Sequence, residues 1–185
     1  PWESVSMDLI SGLRRAEGLG SILVVVDRFS KYGTFIAVSN DCTAEETAKA
    51  FLSHVVKLWG VPETIISDRD PRFTGKFWSE LFKLLGTTLN LSTSFHPQTD
   101  GQTERINALL EEYLRHFVSA NQKNWPELLD VAQLSYNMQK SEATRHSPFE
   151  LATGQQPLVP ASIIPEKPSV QQATFYLHVG KKGLK

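Results

Sequence analysis

Three acidic residues stand where a carboxylate is costly unless it has a task. Asp8 interrupts the apolar run Ser6-Met7-Asp8-Leu9-Ile10, and Asp68 follows Thr64-Ile65-Ile66-Ser67. Glu104 lies one turn into a helix opened by Pro97-Gln98-Thr99-Asp100-Gly101-Gln102-Thr103. A carboxylate at the edge of an apolar strand loses hydration, which is tolerated when the group is hydrogen-bonded, paired or bound to a cation. Three such groups converging would repel one another, and a divalent metal relieves both problems at once. The chemistry to be tested is therefore metal binding by hard oxygen ligands.

Each acid also has an ordinary reading. Strand alternation puts Val5, Met7 and Leu9 on one face and Ser6, Asp8 and Ile10 on the other. Asp8 is thus mid-strand, where aspartate has poor β-propensity; by residue type alone, a structural aspartate is the commoner outcome. Ser67-Asp68-Arg69-Asp70-Pro71 is also plain turn chemistry, and Asp70 competes with Asp68 for any role. Strand-end placement favours Asp68, because chemistry in open α/β sheets gathers at the carboxyl ends of strands. Glu104 alone reads as a favourable charge in a first helical turn. It begins a polar stripe with Asn107, Glu111 and Arg115 against apolar Ile106, Leu109, Leu110, Tyr113, Leu114 and Phe117. The combination raises the odds: thirty-five residues, positions 69 to 103, separate Asp68 from Glu104 and hold a helix, a strand and a glycine-bearing loop.

The elements that must position these acids follow from periodicity and turn chemistry. Val5 to Ile10 and Ile22 to Asp27 read as buried strands, joined as a hairpin through Gly12 and the Gly18–Gly20 pair. Thr34 to Val38 is a third strand. Thr43 with Glu46 forms a capping box for a helix from Ala44 to about Trp59. Gly60-Val61-Pro62 ends it and leads to a fourth strand, Thr64 to Ser67. A helix over about Gly75 to Leu85 precedes a fifth strand, Thr87 to Leu91. Helices follow over about Thr99 to Ala120 and Trp125 to Gln139, with a short turn near Pro148 to Ala152. This order predicts an α/β fold, a mixed sheet with helices on its faces.

Bulk properties narrow the class. With 185 residues, 41% hydrophobic and 21% charged, the chain has enough apolar sequence for one packed core and is not of disordered composition. No apolar run approaches the roughly 20 residues that span a bilayer, and no signal peptide is visible, so no membrane partner is expected. The single cysteine, Cys42, excludes an internal disulfide and a cysteine-based zinc site, which makes an intracellular compartment the default. The opening Pro1 suggests an excised segment. A formal net charge of −1 gives no overall basic surface, so any nucleic-acid contact must come from a local patch or a bound metal.

Longer motifs carry a resemblance. The segments Trp2 to Ile10, Val25-Val26-Asp27-Arg28-Phe29-Ser30-Lys31-Tyr32, Ser67-Asp68-Arg69-Asp70-Pro71-Arg72-Phe73 and Phe95 to Asn107 resemble the integrase catalytic core of gypsy-type LTR retrotransposons, a part of a Gag-Pol polyprotein. Trp125 and the turn Ser147-Pro148-Phe149-Glu150 fit as well. The likeness covers roughly residues 1–155, in the right order and at the right distances. It implies a ribonuclease H-like fold with a five-stranded mixed sheet flanked by helices. It also implies that Asp8, Asp68 and Glu104 form the acidic triad, which selects Asp68 over Asp70. The family's zinc-binding N-terminal domain is not found in the sequence, and residues 156–185, rich in proline, read as an extended linker toward a missing C-terminal domain.

The resemblance further implies phosphoryl transfer on DNA: water trims the 3′ end of the element, and the new 3′ hydroxyl then attacks a target phosphodiester. Two magnesium ions roughly 3.5–4 Å apart would serve that displacement, with manganese as a substitute, and no nucleotide cofactor is needed. Asp8 would bridge both ions, while Asp68 and Glu104 each complete one site. Gln98, Arg105 and Asn107 are candidate DNA contacts at the helix edge, and Arg28 and Lys31 candidate phosphate contacts. His96 is a weaker ligand candidate and Asp27 an unassigned neighbour of the triad. Expected partners are the element ends and target DNA, and further copies of the chain, in the nucleus and cytoplasm or an element particle. Two alternatives remain at this stage: a ribonuclease H-like nuclease, and a catalytically inert DNA-binding or assembly module of the same fold.

Overall fold

The computed structural model describes residues 1–67, 71–73, 75–86, 101–121, 123–142 and 144–157, of which 71, 101–109 and 121 are described by backbone alone. Strands β1 (Ser4–Ile10), β2 (Ser21–Asp27) and β3 (Gly33–Val38) precede α1 (Ala44–Phe51), which continues through a π-helical stretch (Leu52–Val56) into α2 (Lys57–Trp59). Strand β4 (Thr64–Ser67), a 3-10 turn (Pro71–Phe73) and helices α3 (Gly75–Leu84), α4 (Gly101–Asn121), α5 (Trp125–Met138) and α6 (Pro148–Thr153) follow. The described sheet has the order β3-β2-β1-β4. β1 pairs antiparallel with β2 from Val5↔Asp27 to Ile10↔Ile22 and parallel with β4 from Ser4↔Thr64 to Met7↔Ser67. The sheet is therefore mixed, as expected. The expected fifth strand, residues 87–91, lies outside the described residues, as does the segment from residue 158 onward.

Local chemistry explains the element ends. The β1–β2 hairpin closes on Glu17 and Gly18, both at positive φ between the bridged pair Ala16 and Leu19, the signature of a type I′ turn matched to strand twist. The Thr43–Glu46 capping box forms at the start of α1, and a second one, Ser147 with Glu150, opens α6.

Period-two alternation divides the core into two layers. Val5 and Met7, with Leu23, Val25, Ile36 and Val38, pack against Ala48 and Phe51 of α1, Val55 of the π-helical stretch and Phe77 and Leu81 of α3. Ile10, with Ile22, Val24, Val26 and Phe35, packs against Leu110, Leu114 and Val118 of α4 and Trp125 and Leu129 of α5. Asp8 thus lies on the α4 and α5 side, as strand alternation requires.

α5 also closes the open edge of β3. The Asn137 side chain accepts from the Gly33 N–H and donates to the Gly33 carbonyl, both at 2.8 Å, and Gln133 accepts from the Phe35 N–H at 2.7 Å. These are the outward-facing groups that an uncovered edge strand would offer to another chain.

Beside them, burial pushes the Tyr136 phenol up to about 12 from 10.0, with Tyr113 adding to the effect. The folded state then holds a proton that the unfolded chain releases first. The associated stability is fully present below pH 10 and is lost as pH rises toward 12. Alkaline unfolding followed by circular dichroism should accordingly be less steep across that window in Tyr136→Phe than in the wild type.

Candidate active site

Asp8 sits at the middle of β1, half-buried, opposite Val24 of β2. Its Oδ1 accepts from the N–H of Leu9 at 2.8 Å, which fixes the carboxylate against its own strand. Buried Ser6 and Ile10 flank it on the same face. A half-buried carboxylate between Ser6 and Ile10, in the middle of a strand, is the costly placement inferred from sequence.

The parallel pairing with β4 fixes what lies beside it. Ser67, the last residue of β4, is the register partner of Met7. Each of these two residues is followed directly in the chain by one of the expected aspartates. Asp68 itself, with Asp70, lies outside the described residues.

α4 carries the third position. Glu104 is in its first turn, described by backbone alone. Arg115, eleven residues on, donates to the Glu111 carboxylate at 2.8 Å and to the Ser11 carbonyl at 3.4 Å, just past the end of β1. Eleven residues are three helical turns, so position 104 shares the α4 edge that Arg115 turns toward β1, roughly 16 Å along the axis. The indole N–H of fully buried Trp125 donates to the Arg14 carbonyl at 3.0 Å and ties the start of α5 to the same hairpin. Among the described residues no three His, Cys, Asp or Glu side chains converge, two of the three expected acids lying outside that set.

The remaining candidates separate. Gln98 and His96 lie outside the described residues, and Arg105 and Asn107 are described only as α4 backbone. Arg28 and Lys31 are found elsewhere: the Arg28 N–H donates to the Ser4 carbonyl, at the opposite end of β1. Four residues of strand separate Ser4 from Asp8, roughly 13 Å. Asp27 is not a neighbour held in reserve for a metal. It is 1% exposed, with Oδ1 accepting from the Trp2 N–H and Oδ2 from the Ser30 N–H, both at 2.8 Å, so it organises the β2–β3 turn. The sequence reading missed Gln133 and Asn137. Their signal was a pair of amides four residues apart on a helix of otherwise apolar inward positions.

No family model matches the chain. It is 39% identical over 151 residues, 82% of its length, to the Transposon Tf2-3 and Tf2-4 polyproteins of Schizosaccharomyces pombe. The chain spans 11% of the length of these curated relatives. In structure it resembles the HTLV-2 integrase catalytic core domain solved in complex with magnesium, with a TM-score of 0.59 and 19% identity, covering 82% of this chain and 96% of that one. It also resembles the catalytic core domain of BIV integrase, with a TM-score of 0.59 and 21% identity, covering 81% and 93%. The ribonuclease H-like fold expected from the sequence is the fold found.

Proposed function

Because the chain belongs to the family of retrotransposon polyproteins, in a segment with the fold of retroviral integrase catalytic cores, we propose that it performs divalent-metal-dependent phosphoryl transfer on DNA, joining element DNA to a target. In end processing, water forms a bond to a phosphorus of the element's DNA as the bond to the 3′ oxygen breaks, freeing a 3′ hydroxyl. In strand transfer that hydroxyl forms the new bond, and a 3′ oxygen of the target leaves. The observation that carries the reading is the parallel β1–β4 register. Met7 and Ser67, which directly precede Asp8 and Asp68 in the chain, are register partners on adjacent parallel strands.

The donor chemistry fits a divalent cation: hard carboxylate oxygens from Asp8, Asp68 and Glu104, with one of them held among apolar side chains. When bound, two such ions would supply charge neutralisation and an activated oxygen at neutral pH. The chain's own part is to orient and to hold. The Leu9 amide aims the Asp8 carboxylate, the Arg115 and Trp125 contacts seat α4 and α5 on the β1–β2 hairpin, and Gln98, Arg105 and Asn107 are assigned to DNA contact by the family resemblance. The HTLV-2 core was solved in dimeric and trimeric forms, which supports a homo-oligomer here.

The test is disintegration, the reverse of joining, on a branched DNA substrate with magnesium or manganese. Resealed product is expected, and a folded, metal-supplied sample that yields none overturns the reading. Magnesium titration by calorimetry, repeated on Asp68→Asn, separates this function from an inert module. The variant should bind much more weakly, and equal affinities would remove Asp68 from the site.

A further inference from the structure

We propose that the β2–β3 turn is a second nucleic-acid contact, in which Phe29 stacks on an unpaired base while Arg28 and Lys31 hold the flanking phosphates. This extends the DNA reading above to a surface outside the acidic site. Phe29 is 67% exposed, and among the described residues it is the one aromatic among the well-exposed large apolar side chains. An isolated exposed apolar residue is ordinary; a rigid turn built to present one is not. Buried Asp27 accepts from the Ser30 N–H and hydroxyl, at 2.8 and 2.5 Å, and its carbonyl accepts from the Lys31 N–H at 2.9 Å. Its own N–H donates to the Tyr32 carbonyl at 2.9 Å, and the Arg28 N–H locks the turn to β1.

Lys31 adopts φ 65, a left-handed conformation that costs a residue with a side chain free energy and that glycine would adopt freely. Its ammonium donates to the Arg28 carbonyl at 2.5 Å, which holds that cation close beside Phe29. An exposed aromatic with cationic side chains on both sides in sequence matches a single strand, whose bases are open to stacking and whose backbone is anionic. A duplex offers the same phosphates but keeps its bases stacked internally. The turn stands roughly 13 Å along β1 from Asp8, about the length of four stacked nucleotides.

Fluorescence anisotropy with a labelled oligothymidine, in EDTA at low salt, tests this apart from the metal site. Phe29→Ala should weaken oligothymidine binding about tenfold or more, the scale of losing one stacking platform, and leave duplex binding unchanged. Phe29→Trp should restore it. Because Phe29 packs little, both variants should fold, which circular dichroism checks. Unchanged oligothymidine affinity, an equal loss on duplex, or no oligothymidine binding by the wild type overturns the proposal. Any of these results leaves disintegration in magnesium to judge the catalytic reading independently.

Discussion

Asp8→Asn is expected to reduce disintegration at least about a hundredfold while leaving the fold intact, the scale seen when a group stabilising transition-state charge is removed. Asparagine is close to isosteric, and its side-chain carbonyl can still accept from the Leu9 N–H. The strand, its pairing with Val24 and its parallel partner β4 therefore lose nothing. What changes is charge. A neutral amide is a poor ligand for a hard dication, and Asp8 no longer contributes a negative oxygen to the proposed metal site. The metal-free protein should melt at the same temperature or slightly higher, since a half-buried carboxylate has been made neutral. Added magnesium should then shift the melting temperature of the wild type and not of the variant. Equal reaction rates in the two proteins would mean that Asp8 is merely a structural strand residue.

Asn137→Ala should destabilise the fold by about 3 kcal/mol, measured by urea unfolding. The side chain is fully buried and satisfies both backbone groups of Gly33. Truncation leaves a donor and an acceptor without partners, and each such buried group costs about 1–3 kcal/mol. Water has little room to replace them, because Gly33 is closely covered: a Cβ added there would meet Phe35 Cε1 at 2.8 Å and Tyr136 Cε1 at 3.1 Å. The substitution also uncovers the β3 edge, so the variant should aggregate at lower concentration than the wild type. A loss below about 0.5 kcal/mol, the range of ordinary surface substitutions, would show that α5 is held by Trp125 and Leu129 alone.

Period-two and helical patterns made the hairpin, the third and fourth strands, both core layers and the start of α1 readable from the chain. Each depends on residues close in sequence, whose burial follows directly from alternation. The first acid was readable for the same reason, because an aspartate inside Val5 to Ile10 is conspicuous wherever the strand goes. The place of Arg28, Lys31 and Asp27 relative to Asp8 was not readable. Whether a turn lies beside Asp8 or at the far end of β1 depends on pairing register, which the Ser4 carbonyl and Arg28 N–H reveal only in three dimensions. The Gln133 and Asn137 pair left a local trace in its four-residue spacing, but the partner of Asn137 lies 104 residues away, so only the fold shows what it bridges.

By itself, then, the sequence determined which residues form strands and helices and which acids are out of place, because those follow from short-range sterics and hydrophobic periodicity. Only the tertiary structure decided that β4 runs parallel beside β1 with Ser67 against Met7, that Arg115 reaches the end of β1, and that α5 seals the β3 edge. Those are choices among many pairings with similar local energies, settled by which one buries both faces of the sheet while leaving the fewest polar groups without partners.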